Sequence, residues 1–341
     1  MRKLVQAIVQ LELFEVVGLT ASLAAIIIFV SHAREFDTFY GVHMFDIHIL
    51  NAVVGVFENP MPWLFVGTMT LLAGLYLVIR WRRPHTSATL LYLIRIMMAF
   101  VVLMAIYKTV NFYIAAFNPF DRDAAIQQID KSLFFGKLPS VWLEPYISKP
   151  LTYLFSGAYV SWFILTYATV LVMLRAGREA MRQYVSTALL TFYIGYFTYF
   201  LVPVIGPMYT VAYARHIGGI TAFFAHDAAL IARDCFPSLH TGISIVMAII
   251  VWRYRRRFAW LYIPMAGLII SATIYLRIHY ALDVFAGASL AVAMAQLTPM
   301  ILRAWALMQE RAFAGLTSLK GSTLGTEGVL SELTVQASSK S

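Results

Sequence analysis

The feature that most constrains this chain is a series of long apolar segments separated by short polar connections. A helix that crosses a bilayer needs about 20 mostly apolar residues, and a helix satisfies its own backbone hydrogen bonds inside lipid. Eight windows approach that length: 11–31, 61–80, 87–112, 151–174, 184–205, 237–252, 258–276 and 281–302. With 60% hydrophobic residues and a mean hydropathy of +0.74, the sequence predicts an all-α fold, a polytopic membrane bundle of about eight transmembrane helices.

Lys and Arg collect in alternate connections between these windows, and this pattern predicts the orientation of the chain. The basic connections hold Arg2 and Lys3, then Arg80, Arg82 and Arg83, then Arg175, Arg178 and Arg182, then Arg253, Arg255, Arg256 and Arg257. By the positive-inside rule these connections are cytoplasmic. The opposite connections, 32–60, 113–150, 206–236 and 277–280, therefore face the periplasm, the exterior or an organelle lumen.

The net charge of +9 is explained by the same pattern. Cations at the ends of apolar windows set topology and contact anionic lipid headgroups. No DNA- or RNA-binding motif accompanies them, so we expect no nucleic-acid partner. The expected location is a membrane, with a bacterial inner membrane as the first candidate, and nothing in the sequence predicts an oligomeric state.

The single cysteine and the two ends of the chain limit its organisation. Cys235 has no second cysteine, which excludes an intrachain disulfide and a multi-cysteine metal site. Residues 1–33 fit either a signal peptide that ends near "SHA" or a retained first span, and the long apolar stretch favours retention. The predicted division is two additional N-terminal transmembrane helices (1–86), a six-helix core (87–304) and a disordered, Ser-, Thr- and Gly-rich cytoplasmic tail (305–341).

The outer connection 113–150 is long for a loop between two spans. Its apolar residues are spaced for a short interfacial helix from Ala124 to Phe134, with acids such as Asp121 and Asp130 nearby. A spacer or lid on the outer surface is one interpretation of this segment. A role in substrate gating is the other.

A candidate site begins in "DCFPSLHTGIS", at the outer start of the sixth window. Pro237 suits the first turn of a helix, where its missing N–H is not needed. The free N–H groups of such a turn attract anions, phosphate in particular. Ser238 adds a hydroxyl beside them, and His240 lies in the same turn.

The second half of the candidate site lies about forty residues further on, in "YLRIHYALDVFAG". The turn between the seventh and eighth windows places Arg277, His279 and Asp283 at the same membrane face as His240. Residues four apart share one face of a helix, so Asp283 can accept the imidazole N–H of His279 and leave the other ring nitrogen with a free lone pair. Such a histidine is a nucleophile or a base, and a second histidine can be the acid.

Each of these residues also has an ordinary interpretation. A histidine at the bilayer edge is most often a polar contact, an arginine there is a snorkelling anchor, and a serine is a helix cap. The combination of two histidines, an aspartate, a serine and an arginine at two outer helix starts favours a site for phosphate chemistry.

The two motifs resemble the second and third signatures of the type-2 phosphatidic acid phosphatase superfamily, usually written PSGH and SRxxxxxHxxxD. The resemblance covers roughly 87–302, and "YFLVPVIGPMY" and "IDKSLFFGKLP" make the chain similar to the branch that holds the inositol phosphorylceramide synthases and many bacterial lipid phosphatases. It implies that His279 is a nucleophile that forms a phosphohistidine, that Asp283 orients it, and that His240 protonates the leaving oxygen. It also implies a lipid phosphate substrate, an alcohol acceptor where the enzyme is a transferase, and no metal or other cofactor.

The chain departs from those signatures at the positions that bind phosphate. Ala272 and Thr273 stand where the third signature has Ser-Arg, and the first signature, KxxxxxxRP, has no clean match. Since phosphoryl transfer depends on electrostatic stabilisation, other cations are expected to bind the phosphate beside Ser238. Arg277 is the first candidate; Arg233, Arg215 and Lys108 follow, and Lys108 fits a snorkelling role equally well.

Two classes of function remain open from the sequence. The first is a metal-independent lipid phosphatase or headgroup phosphotransferase at the extracytoplasmic face. The second is a non-enzymatic membrane protein, an anion-binding protein or transporter, that holds an anion in the same cluster. Transporter sites usually lie near the midplane on broken helices, whereas these residues lie at helix ends, which favours the enzyme.

Overall fold

The computed structural model describes residues 10–32, 86–218 and 232–338, together with six isolated positions: 67, 70, 71, 74, 77 and 78. Ten α-helices lie within these residues. They are α1 Leu13–Ser31, α2 Thr86–Phe117, α3 Asp123–Leu133, α4 Pro139–Trp142, α5 Lys149–Leu174, α6 Arg178–Leu201, α7 Pro207–Thr210, α8 Leu239–Tyr254, α9 Ala259–Tyr275 and α10 Ala281–Ser338. Two short 3₁₀ turns cover Glu144–Tyr146 and Arg256–Phe258.

Six of the described helices are long and apolar enough to cross a membrane: α1, α2, α5, α6, α9, which is extended by the preceding 3₁₀ turn, and α10 as far as Ala314. The expectation of an all-α, multi-pass membrane protein is confirmed by these six candidate spans. The predicted window 237–252 becomes α8, an apolar helix of 16 residues that is shorter than the six candidate spans. The window 61–80 falls almost entirely outside the described residues, so the count of eight stays a prediction.

Helices α1 and α2 run parallel, as three ring contacts along their length show. Phe14 contacts Tyr92 near one end, Phe29 contacts Tyr113 further along, and His32 contacts Phe117 at the other end. Two parallel helices that follow each other in the chain are consistent with the predicted span between them.

The predicted cytoplasmic segments meet at one end of the bundle. Glu12, at the start of α1, forms ion pairs with Arg178 and Arg182 of α6. The side chains of Trp305 and Gln309 on α10 donate hydrogen bonds to the carbonyl oxygen of Leu11. The basic connection around residue 178 therefore lies on the same side as the N-terminus, as the charge pattern predicts.

Helix α10 differs from the expected end of the chain. Its first part beyond residue 304 packs on Leu11, and the helix continues to Ser338 through the segment predicted as a disordered tail. No proline follows Pro299, so every later residue of this helix keeps a backbone N–H that can donate within it. The three-part division of the chain stays a prediction.

Helix α8 lies at the centre of the bundle, packed against α5, α6, α9 and α10. Its approach to α10 depends on glycine, because a Cβ added to Gly287 would lie 2.2 Å from the carbonyl oxygen of Ser238. Gly242 is less tightly packed but still close, with the carbonyl oxygen of Gly287 3.3 Å from its ideal Cβ position. These two glycines bring the start of α8 against the first turns of α10.

The short helix expected from Ala124 to Phe134 is confirmed as α3, Asp123–Leu133, within one residue of the predicted bounds; its place at a membrane interface stays a prediction. Its buried face carries Asp123, Ile126 and Asp130. Its other side exposes Ile129 and Leu133, which suits a helix at a membrane surface.

Candidate active site

Ser238 caps the start of α8, as the sequence predicts. Its Oγ accepts a hydrogen bond from the amide of Thr241 at 3.3 Å, and its own amide donates to the carbonyl oxygen of Asp283 at 2.9 Å. Among the described residues, no acceptor takes the amides of Leu239 and His240. This first turn therefore keeps two free N–H groups beside the histidine.

His279 is fixed by the tight turn between α9 and α10. The amides of Ile278 and His279 both donate to the carbonyl oxygen of Thr273, at 2.9 and 3.1 Å. Arg277 makes this turn possible by adopting a left-handed backbone conformation, with φ of 64°, at the position where a helix end often requires it. Thr273, which stands where the third signature has arginine, thus holds the backbone of His279.

The two histidines and Asp283 form a continuous chain of contacts. Nδ1 of His240 lies 3.4 Å from Nε2 of His279, and Nδ1 of His279 lies 3.5 Å from Oδ2 of Asp283. The second distance is longer than a normal hydrogen bond, and Oδ2 accepts the amide of Tyr280 at 2.8 Å. His279 and Asp283 are 3% and 0% exposed, so this pair lies in a dry environment.

His240 is enclosed by aromatic rings of α5. Tyr159 and Trp162 each lie 4.5 Å from the imidazole, measured between ring centroids. These residues follow Lys149, where α5 begins, by 10 and 13 positions, or about 15 to 20 Å along the helix axis. The site is therefore recessed from the Lys149 end of α5, and α8 begins at the level of Tyr159 and Trp162.

Arg277 lies next to the site in sequence and is 5% exposed. Its Nη1 donates to the carbonyl oxygen of Arg215 at 2.7 Å, its Nη2 donates to Glu144 at 3.2 Å, and its guanidinium stacks on Tyr213 at 3.6 Å. Its Nε is buried and has no partner among the described residues. One donor of this arginine is thus free, while its charge is balanced by Glu144.

The weaker cation candidates lie in three different settings. Arg233 pairs with Asp121 through two hydrogen bonds, at 2.6 and 3.3 Å. Arg215 is exposed and bonds Glu144 through its amide. Lys108 is exposed on α2. Within the described part of the chain, no hydrogen bond or ion pair joins any of these cations to His240 or His279.

A scan against protein-family models matches residues 124–297, just over half of the 341 residues, to the PAP2 superfamily. The chain belongs to the PAP2 superfamily. Searches of curated proteins and of solved structures gave no match. Membership in this superfamily implies a phosphatase-type enzyme, and such enzymes typically need no metal. The matched segment begins within α3 and contains both histidines, Asp283 and Ser238.

The leucine that replaces the glycine of the PAP2 signature PSGH fits a specific gap. Leu239 is 5% exposed, and its Cδ2 lies 2.6 Å from the point where a Cβ on Gly195 would stand. Gly195 on α6 thus makes room for the larger side chain. The departure from the signature is compensated within the bundle.

Asp234, to which neither sequence motif assigns a role, contacts two side chains of α2. Its Oδ2 accepts hydrogen bonds from the hydroxyl of Tyr107 at 2.5 Å and from Nδ2 of Asn111 at 3.2 Å. This tether holds the segment that leads into Ser238 and His240. The only sequence signal for it is a polar Asn111 in an apolar window, four residues after Tyr107.

One group of side chains in the described part of this PAP2 protein could hold a metal ion: Cys235, His279 and Asp283, whose donor atoms lie within 4.8 Å of one another. Cys235 donates a hydrogen bond to the carbonyl oxygen of Ile278 at 2.9 Å. Burial raises the pKa of the Cys235 thiol well above its usual range. To bind a metal, this thiol would have to lose both its proton and its hydrogen bond to Ile278, so the group fits a metal poorly.

Proposed function

We propose that this protein is an integral-membrane lipid phosphatase or phosphotransferase that acts on a lipid phosphate ester at the extracytoplasmic face through a phosphohistidine intermediate. The observation that carries the proposal is the contact chain from His240 through His279 to Asp283. Membership in the PAP2 superfamily supports the reaction class. The Arg pattern of the connections supports the predicted orientation.

In the first step, Nε2 of His279 attacks phosphorus while the bond from phosphorus to the leaving alcohol oxygen breaks. Asp283 holds the proton on Nδ1 and so keeps the lone pair on Nε2. His240, protonated at this stage, gives its proton to the leaving oxygen. One N–P bond forms and one P–O bond breaks, and the alcohol leaves neutral.

In the second step, an oxygen nucleophile attacks the phosphohistidine while the N–P bond breaks. Neutral His240 takes the proton of that nucleophile and returns to its starting state. Water as the nucleophile gives phosphatase activity. An alcohol gives headgroup transfer, and the resemblance to inositol phosphorylceramide synthases makes an inositol phosphate headgroup the first alternative to hydrolysis.

The phosphoryl oxygens are expected to bind at the start of α8. The free amides of Leu239 and His240 supply donors there, and the helix dipole favours the negative charge. Ser238 lies in the same turn, and the free Nε of Arg277 is the nearest candidate donor in sequence. Arg233 and Lys108 are the weaker candidates. Because Nδ1 of His240 lies only 3.4 Å from Nε2 of His279, a phosphoryl group must separate these two nitrogens in order to bind between them.

The test is to incubate the purified protein with labelled lipid phosphates, with and without inositol or another alcohol. Release of free phosphate identifies a phosphatase, and a labelled new lipid identifies a transferase. Acid-labile label on the protein, absent from His279→Ala, supports the covalent route. Turnover without such label, or full activity in His279→Ala, contradicts it.

A further inference from the structure

The outer helix α3 contacts the nucleophile motif through two buried carboxylates. Asp123 and Asp130 lie seven positions apart, which puts them on one face of the helix. They are 6% and 0% exposed, respectively. A carboxylate is buried at this depth only when donors satisfy it, and the donors here belong to the segments around the active site.

Asp130 binds the first turn of α10 from across the chain. Its Oδ2 accepts the amide of Ala281 at 2.7 Å, and its Oδ1 accepts the amide of Leu282 at 2.9 Å. These are orphan donors of a helix start, which have no partner inside their own helix. Burial raises the pKa of the Asp130 carboxyl, and the two amide hydrogen bonds oppose that shift.

The same helix start also uses Asp283. Its Oδ2 accepts the amide of Tyr280 at 2.8 Å and lies 3.5 Å from Nδ1 of His279. Three adjacent amides are thus divided between two carboxylates. If Asp130 were lost, the amides of Ala281 and Leu282 would have Asp283 as the nearest carboxylate in sequence, and they would compete with His279 for it.

Asp123 acts in parallel on the surroundings. Its two oxygens accept the amides of Ile205 and Gly206, both at 2.9 Å, and Oδ1 also accepts the hydroxyl of Tyr280 at 3.0 Å. Gly206 lies directly against the motif, since a Cβ there would be 2.8 Å from the carbonyl oxygen of Ile278. Asp123 therefore fixes the loop beside the motif, while Asp130 fixes the helix start itself.

We infer that Asp130 is a positioning residue for the His279–Asp283 pair: by taking the amides of Ala281 and Leu282, it leaves Asp283 free to orient His279. The inference rests on the proposed function and extends it to a residue on a separate helix. The outer helix α3 is on this basis part of the active-site framework, and not only a surface spacer.

The test compares turnover and thermal stability for the full-length wild type, Asp130→Asn, Asp123→Asn and Glu179→Gln. The last variant removes the charge of an exposed carboxylate at the opposite end of the bundle. We expect kcat of Asp130→Asn to fall about 10- to 100-fold, as when a partner that orients a catalytic group is lost, with a much smaller change in KM. Glu179→Gln should match the wild type, and Asp123→Asn should mainly lower stability.

A second variant tests whether backbone amides compete with His279 for Asp283, because it removes one of those amides. In Ala281→Pro the first helical position loses its N–H, and proline is well tolerated there. The carboxamide introduced by Asp130→Asn can then accept the amide of Leu282 with its oxygen. Its NH₂ group faces position 281, where no backbone N–H remains to oppose it. We expect the double variant Asp130→Asn/Ala281→Pro to recover part of the kcat lost in Asp130→Asn. If Asp130→Asn alone is unstable, kcat of the double variant is compared with kcat of the wild type and of Ala281→Pro.

The outcomes separate the two proposals. If the wild type turns over a lipid phosphate and Asp130→Asn has the same kcat, the positioning role is overturned and the proposed function stands. A rise in KM with kcat unchanged, or no recovery in the double variant, also overturns it. If the wild type turns over none of the lipid phosphates and behaves in every assay like His279→Ala, the proposed function is overturned instead.

Discussion

The first turns of α8 and α10 meet at the candidate site, but they differ in what their amides bind. On α8 the amides of Leu239 and His240 have no acceptor among the described residues. On α10 the amides of Tyr280, Ala281 and Leu282 all donate to carboxylates. Both turns have the same helix dipole and the same kind of orphan donors.

The difference shows how one fold can use a helix start in two ways. A start that already binds carboxylates cannot attract a further anion, so α10 is suited to hold His279 and Asp283 in place. A start with free amides remains open to an anion, so α8 is suited to receive the phosphoryl group beside His240. The following changes test this contrast, in order of expected effect.

Loss of the nucleophile should have the largest effect. His279→Ala removes the atom that is proposed to bind phosphorus, and we expect turnover to fall about 10⁴- to 10⁶-fold, with no label on the protein. His240→Ala removes only the acid and base, so the loss should be about 10²- to 10⁴-fold. Phosphate release and acid-labile labelling measure both, and a thermal melt controls for folding.

A side chain at Gly287 should push the two helix starts apart. The new Cβ would lie 2.2 Å from the carbonyl oxygen of Ser238, and overpacking of this kind costs about 1–3 kcal/mol of stability. We expect Gly287→Ala to lower both the melting temperature and kcat. Gly267→Ala is the matched control, since a Cβ there meets nothing within 4 Å; equal behaviour of the two variants would show that the close approach is unimportant.

Ser238→Ala should weaken the open helix start without closing it. The variant loses the hydrogen bond to the amide of Thr241, and loss of a cap costs about 1 kcal/mol of stability. If the hydroxyl also contacts the phosphoryl group, KM or kcat should worsen by more than the stability loss explains. Kinetics at a temperature well below the melting point separate the two effects.

Removal of metal ions should have the smallest effect. The proposed route uses two histidines and helix amides, and the Cys235 thiol would have to give up its hydrogen bond to Ile278 in order to bind a metal together with His279 and Asp283. We expect full activity in EDTA. Activity that vanished in EDTA and returned with Mg²⁺ would contradict the proposed route.

The sequence was sufficient to predict which candidate site residues pair with each other, because the contacts within each pair are local. His279 lies in the turn just before α10 and Asp283 in the first turn of α10, four positions later, and Ser238 and His240 lie at one helix start, so the spacing in the sequence predicts that the members of each pair lie close together. Their convergence followed from topology, since the Arg pattern assigns both turns to the outer face.

The supporting groups could not be predicted in the same way. Asp130 binds amides about 150 positions along the chain, and Asp234 binds Tyr107 across a similar distance. Backbone amides carry no residue identity, so a sequence pattern does not indicate which of them a carboxylate accepts. The environment of Arg277 was hidden for the same reason, because its partner Glu144 lies on a distant turn.

The packing of Leu239 against Gly195 has a consequence for related chains. The two positions share one volume, so a bulky residue at either requires a small one at the other. Across an alignment of relatives, positions 195 and 239 should therefore covary, with glycine changing sides between them. A chain with the PSGH form of the motif should carry a larger residue at the position equivalent to 195.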